Sequence, residues 1–259
     1  MKIWYQSFTD QPLAPVYLEH LASFMNEHAS EGTEIHFKTI TPPDDYAHAL
    51  SEWRCGREAI VNAIHATDEG YDGYLMGHFQ DSGLYEARAA AGIPVIALGE
   101  ASMLYACQMG FRIGLITINP RFIPIHEHQI RKYGLQDRVT LVHAMTFDPG
   151  QLVSAFGDDS KVEAVRQEFE KQATPLVEAG VDVLVPAGGI PMLLLSKIKA
   201  HEILGAPVLN GLPVALRMCE LAIEMKQKFG TDTSRSGDFV RPPREVLDTF
   251  IKYPNSDDA

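Results

Sequence analysis

The chain matches itself at a fixed offset, and this constrains its fold more than any other feature. Lys2-Ile3 falls on Arg112-Ile113, Ser7 on Thr117, and Asp72 of Gly70-Tyr71-Asp72 on Asp182 of Gly180-Val181-Asp182, each 110 residues further along. The next apolar segment, Ile93-Pro94-Val95-Ile96, falls on Ala206-Pro207-Val208-Leu209 at an offset of 113. With 259 residues there is chain enough for two units of that length. Two similar lobes follow.

Within each half, short apolar runs alternate with longer segments whose apolar residues recur at three- and four-residue spacing. That alternation is the pattern of βα units around parallel sheets. We therefore expect an α/β protein of two pseudosymmetric lobes, each a parallel sheet of about four strands flanked by helices. Strands are expected at 2–7, 34–40, 73–77, 95–98, 112–117, 139–142, 181–186 and 208–210, and helices at 57–67, 82–91, 100–109, 123–133, 162–179, 191–203 and 213–229. Gly70, Gly92, Gly110, Gly134, Gly180, Gly205 and Gly230 follow the helices, as left-handed stops would. The first lobe is expected to comprise 1–98 plus 211–259 and the second 99–210, with the ligand cleft between them.

Composition narrows the function classes. Hydrophobic residues are 46% and charged residues 22% of the chain, as in soluble globular proteins. The net charge of −12, with no long basic stretch, argues against nucleic-acid binding. No apolar run approaches the ~20 residues of a membrane span, and Met1-Lys2-Ile3 enters a strand without a basic-then-apolar leader. We expect a cytoplasmic protein that binds neither membrane nor nucleic acid. Cys55, Cys107 and Cys219 lie far apart without CxxC spacing, so reduced and mostly buried thiols are expected.

Ligands of parallel sheets sit outside the C-terminal strand ends, where helix N-termini present backbone N–H groups. The repeat supplies these segments in pairs: Ser7-Phe8-Thr9 with Thr117-Ile118-Asn119, Gly77-His78-Phe79 with Ala187-Gly188-Gly189, and Gly99-Glu100-Ala101 with Asn210-Gly211-Leu212. His78 corresponds to Gly188. An imidazole titrates near ~6.5 when unperturbed, which suits His78 to acid/base work. Asp81 would orient that imidazole or cap a helix. Ser7, Asp81, Ser82, Gly83, Thr117, Asn119, Gly188, Gly189 and Asn210 are the candidate substrate contacts, with Glu100 as a carboxylate behind them or a first-turn acid on a helix dipole. Ser82 lacks the surrounding pattern of a nucleophile elbow. His126-Glu127-His128 places two imidazoles two residues apart, where they do not share a helix face, so a solvated helix start is expected and no metal. No phosphate-binding loop is present, and no cofactor is expected. The tail Asp257-Asp258-Ala259 is expected to be disordered.

The run from Asp72-Gly73 through Asp81-Ser82-Gly83-Leu84 and Pro94-Val95-Ile96 to Gly99-Glu100-Ala101, then Ile113-Gly114-Leu115-Ile116-Thr117, Tyr133-Gly134-Leu135 and Val181-Asp182-Val183-Leu184-Val185, resembles the aspartate/glutamate/hydantoin racemase superfamily, in its hydantoin-racemase-like branch. The resemblance covers most of the chain. It implies a cofactor-free, homo-oligomeric enzyme with a small-molecule substrate in the cleft. Two cysteines, one after the third strand of each half, would work on opposite faces of a carbon acid. Carried onto this chain, those positions are His78 and Gly188, so both thiols are absent. What remains is one-sided acid/base chemistry of isomerase or lyase type on a carboxylate-, amide- or imide-bearing carbon acid, with His78 in place of a thiol. Two alternatives stay open: a hydrolase of a ring amide or imine with a His78-activated water, and a binding protein without chemistry.

Overall fold

The computed structural model describes residues 1–10, 14–43, 48–197 and 201–253. The chain runs β1 (Lys2–Gln6), α1 (Pro15–His28), β2 (Glu34–Lys38), α2 (Ala49–Asp68), β3 (Gly73–Met76), α3 (Leu84–Ala90), β4 (Val95–Ala97) and α4 (Leu98–Met109) through the first half. It continues with β5 (Ile113–Thr117), α5 (Ile123–Lys132), β6 (Val139–Ala144), α6 (Pro149–Ser154), α7 (Asp159–Glu178), β7 (Val183–Ala187), α8 (Gly189–Lys197), β8 (Glu202–Ile203), β9 (Ala206–Pro207), α9 (Gly211–Phe229) and α10 (Arg244–Lys252). Two parallel sheets form, in the orders β2-β1-β3-β4 and β6-β5-β7. β5 and β7 are buried along their whole length, as their unbroken apolar runs require between two helical layers.

The repeat reappears as strand register. Ile3 stands opposite Gly73 and Gln6 opposite Met76, while Ile113 stands opposite Val183 and Ile116 opposite Pro186, the same pairs moved along by 110. Asp72 and Asp182 explain why an aspartate recurs at this point. Each donates its backbone N–H to a carbonyl at the start of the neighbouring strand, Lys2 O or Arg112 O, and its carboxylate accepts from that backbone: Lys2 N at 2.7 Å in one half, Phe111 N and Arg112 N at 2.9 and 2.8 Å in the other.

The expected fourth strand of the second sheet is reduced to one parallel bridge, Leu184 with Val208. Its counterpart, Tyr74 with Val95, opens a three-residue ladder in the first sheet. After α8 the chain instead makes the antiparallel pair β8-β9, leaving only Leu209 N to reach Leu184 O at 2.8 Å. Three helices were not foreseen: α1, α6 and α10, the last burying Leu247 against the first sheet's helices. α2 begins eight residues earlier than its periodic core at Arg57 suggests. The helix expected at 191–203 covers Gly189–Lys197, and 202–203 belong to β8. Residues 198–200 and the acidic tail 257–259 lie outside the described residues.

Of the seven glycines expected to stop helices, Gly70, Gly134, Gly180 and Gly230 follow helices with positive φ; Gly205 also has positive φ but turns between β8 and β9, and Gly92 and Gly110 do not have positive φ. Gly110 is extended at φ −158, and a Cβ there would run into the Asp182 carboxylate, so close approach is what requires glycine. Among the described residues no helix is long and apolar enough to cross a membrane. Cys55 and Cys219 are buried, Cys107 is half-buried, and none forms a disulfide.

Candidate active site

β1 and β3 are the central strands of the first sheet, so Ser7-Phe8-Thr9 and Gly77-His78-Phe79 emerge side by side at their C-terminal ends. The register continues for one more residue, with Gly77 N donating to Gln6 O at 2.8 Å. Gly77 lies so close to the Tyr5 ring that no side chain fits there. From the second sheet, β7 delivers Gly188 and Gly189 at the start of α8. Both strand ends open into one cavity of about 310 Å³, and Ser7, His78, Gly188 and Gly189 all line it. That is room for a small molecule. The walls are otherwise largely apolar: Phe8, Phe79, Ile118, Phe122, Val153 and Ile190, with the Tyr17 side chain at one side.

The His78 imidazole stacks on the Phe8 ring, with centroids 4.1 Å apart and planes 8° from parallel. Its Nδ1 lies 3.7 Å from Glu52 Oε2, and the two side chains are 15% and 9% exposed, so the pair is mostly shielded from water. At this range the contact is an ion pair when the imidazole carries its second proton, and it is longer than a hydrogen bond. Glu52 comes from the first turn of α2, ahead of the segment 57–67 in which a helix is expected. Its signal is nonetheless present. Glu52, Cys55, Gly56, Ala59, Ile60, Ala63 and Ile64 form one buried stripe at three- and four-residue spacing, and Glu52 is its first member.

Ser82 donates its hydroxyl to the same Glu52 carboxylate. It does not line the cavity. Gly83, left-handed at φ 81, is backed against the Gly56 carbonyl, where a Cβ would come within 2.8 Å of that oxygen. It serves helix packing.

Asp81 neither touches the imidazole nor lines the cavity. Its φ of 53 turns the side chain into the start of α4, where it accepts from Gly99 N at 2.9 Å and Glu100 N at 2.7 Å. Gln129 Nε2 and Tyr133 OH, both on or just after α5, add bonds of 2.9 and 2.7 Å. Gly99 must be glycine, because a Cβ would collide with the Phe79 carbonyl oxygen. The network runs on into the second half: Gln129 Nε2 also donates to Phe79 O at 2.6 Å, which leaves its Oε1 to accept from His126 Nδ1 at 3.1 Å. His126 Nε2 then accepts from the Thr117 hydroxyl at 3.1 Å. Thr117 is thereby fully buried, away from the cavity. His126 is buried too and its burial lowers the imidazole to about 4, so it is a neutral core residue and not part of a solvated helix start. His128 is exposed, and no cluster of metal-ligating side chains occurs among the described residues.

The remaining candidates are also elsewhere. Asn119 accepts from Arg121 N at 3.0 Å and caps a short turn. Asn210 caps α9 through Leu212 N at 3.1 Å and borders a separate depression of about 810 Å³ beside α1 and α8. Glu100 is held by Arg88 at 2.6 Å, on the side of α3. Each of these residues has found a local backbone or ionic partner, the usual competitor for polar side chains at helix starts.

The Asp81 network makes a stability prediction. Burial pushes the Asp81 carboxyl up to about 7, against the pull of Tyr133, Gly99 and Glu100. Because the folded state holds this proton more tightly than the unfolded chain, its contribution is full below about 4, falls as pH rises toward about 7, and is flat above. Asp81→Asn should remove that slope from the pH dependence of urea unfolding. It should also cost roughly 1–3 kcal/mol at pH 7, since an amide must turn its NH₂ toward one of the buried donors. Equal slopes for both proteins between pH 4 and 7 would contradict this.

The model of the Asp/Glu/Hydantoin racemase family matches residues 16–219. A hydantoin racemase of Pseudomonas sp. (strain NS671) is 26% identical over 161 residues, 62% of this chain and 62% of that one. The match thus spans about three-fifths of that relative's length. Among solved structures, the allantoin racemase from Klebsiella pneumoniae aligns with a TM-score of 0.75 at 23% identity, covering 94% of both chains. The allantoin racemase from Pseudomonas fluorescens aligns at 0.77 with 19% identity, covering 93% of this chain and 97% of the other. At these identities the structural likeness speaks for the fold.

Proposed function

The chain belongs to the Asp/Glu/hydantoin racemase family, and from that premise we propose that it is a cofactor-independent enzyme acting on a small carbon acid by acid/base chemistry from one face, of isomerase or lyase type. The observation that carries this reading is the pairing of His78 and Glu52 at one strand end, opposite the Gly188-Gly189 backbone in a single cavity. His78 is the acid/base. With Nδ1 directed toward Glu52, Nε2 lies on the far side of the ring and exchanges the proton with substrate carbon. Glu52 positions the ring and stabilises the imidazolium formed when His78 takes the proton. The N–H groups of Gly189 and Ile190, at the start of α8, hold the oxygen on which negative charge develops.

The relatives are named for hydantoin and allantoin, which are flat ring ureides. A cyclic ureide, imide or related carboxylate suits a cavity of about 310 Å³ with apolar walls and few polar groups. The lobe boundary at 98–99 with return at 210–211 belongs to the same proposal, because it puts the two halves of the site on opposite lobes.

Incubation of hydantoins, imides and dicarboxylates in heavy water containing oxygen-18 separates the readings. Deuterium gained at carbon, or a carboxyl lost, without heavy oxygen in the product is the expected result. Heavy oxygen in the product would instead mean that His78 activates water for hydrolysis. A ligand that raises the melting temperature by mass action yet undergoes neither change would mean a binding protein.

A further inference from the structure

On the Gly188-Gly189 side the cavity carries a polar side chain with no part in the proposed proton transfer, Tyr17. Tyr17 lies on the inward face of α1, with Leu18, Leu21 and Met25. Its ring packs against Phe156, centroids 5.4 Å apart, and its hydroxyl reaches the start of α8, 3.3 Å from where a Cβ of Gly189 would stand. The same point is 3.6 Å from the Gly77 carbonyl, so the hydroxyl lies beside the ends of both β3 and β7. Among the described residues no hydrogen bond engages it. Behind it, the Tyr5 hydroxyl is buried, also without a hydrogen-bond partner among the described residues, and lies near enough for the two phenols to interact electrostatically. A hydroxyl left unpaired against an apolar wall costs free energy unless a ligand or water completes it.

We propose that the Tyr17 hydroxyl donates a hydrogen bond to the oxyanion that develops on the substrate, working beside the Gly189 and Ile190 N–H groups and opposite His78. The inference rests on the proposed acid/base function of this cavity. Burial raises the Tyr17 phenol above its usual range, so it keeps its proton at neutral pH and acts as a donor throughout. The role differs from packing in one respect: a donor aimed at an oxyanion discriminates between an anionic and a neutral ring of the same size, whereas a wall does not.

Calorimetric titration with barbiturate, a planar anion with enolate-like oxygens, and with hydantoin, its smaller uncharged relation, tests this. Tyr17→Phe keeps the ring and removes only the hydroxyl. It should weaken barbiturate binding about tenfold or more, the worth of one hydrogen bond to a charged group, while hydantoin binding changes less than about threefold. Losses of equal size for both probes, or no loss, would overturn the assignment. His78→Asn separates this result from the reading beneath it. If that variant keeps deuterium exchange on hydantoin carbon at the wild-type rate, the His78 chemistry fails whatever Tyr17 does. Wild-type protein that binds neither probe at millimolar concentration would overturn both.

Discussion

His78→Asn should lower turnover by a factor of about 10² or more while leaving the fold and the binding of a planar anion in place. Asparagine approximates the ring's near edge and keeps a polar contact available to Glu52, but it cannot carry a proton to carbon. Because Phe8 stacks on the ring at 4.1 Å, the variant leaves an apolar gap beside the amide, so its melting temperature should be read alongside its rate. Glu52→Gln is the informative companion. Glutamine retains the length and can still accept from Ser82, yet removes the charge 3.7 Å from Nδ1. We expect a fall in kcat on the order of 10-fold, with KM little changed and the acid limb of the pH-rate profile moved to lower pH, because the imidazolium loses its counter-charge. A wild-type rate in His78→Asn would remove His78 from the mechanism. An unshifted profile in Glu52→Gln would reduce Glu52 to a packing residue.

The sequence carried the architecture of this site further than its composition. An offset of 110 residues is enough to place His78 and Gly188 at equivalent strand ends, because strand register copies sequence spacing directly. The fourth strand of the second sheet was less legible. The match of Ala206-Pro207-Val208 to Ile93-Pro94-Val95 is real, but β8 and β9 pair with each other and leave Val208 a single bridge. Tertiary competition of this kind has no local signature.

The polar candidates that do not line the cavity share one cause. Asp81, Ser82, Thr117 and Asn210 stand at strand ends and helix starts, where a ligand contact and a cap look identical in sequence. The structure shows each side chain satisfied within the protein. Asp81 is bound by two elements more than 15 residues away, at Gly99 and at Gln129 with Tyr133. Conversely, Tyr17 and Glu52 were missed through helix boundaries. Pro15 at the first turn of α1 and the one-sided set Tyr17, Leu18, Leu21 and Met25 are a readable helix start. The capping pattern Asp148-Pro149-Gly150-Gln151 likewise announces α6, which brings Pro149, Gly150, Val153 and Ser154 to the cavity.

Wild-type protein in heavy water should take deuterium into a substrate carbon without racemising it. A racemase must remove a proton from one face and return one to the other, and the returning group must act as a base in the reverse direction. In the proposed mechanism His78 serves one face. Opposite it stand Gly188, which has no side chain, and the Tyr17 phenol, which burial raises above its usual range and holds protonated at neutral pH. A phenol in that state can donate to an oxyanion but is a poor base toward carbon. Chiral analysis of 5-substituted hydantoins, and of free aspartate and glutamate, should therefore show no inversion beyond solvent background, even where exchange is fast. None of the three cysteines lines the cavity to supply the missing group. A Cβ at Gly188 would press on Pro191 Cδ at 3.0 Å and Cγ at 3.2 Å, so a thiol there requires the Pro191 ring to shift by a few tenths of an ångström; His78→Cys combined with Gly188→Cys is the variant in which to look for gained inversion. Rapid inversion with deuterium uptake by the unmodified protein would mean that a second base reaches the far face, and Tyr17→Phe would then be the first substitution to examine for its loss.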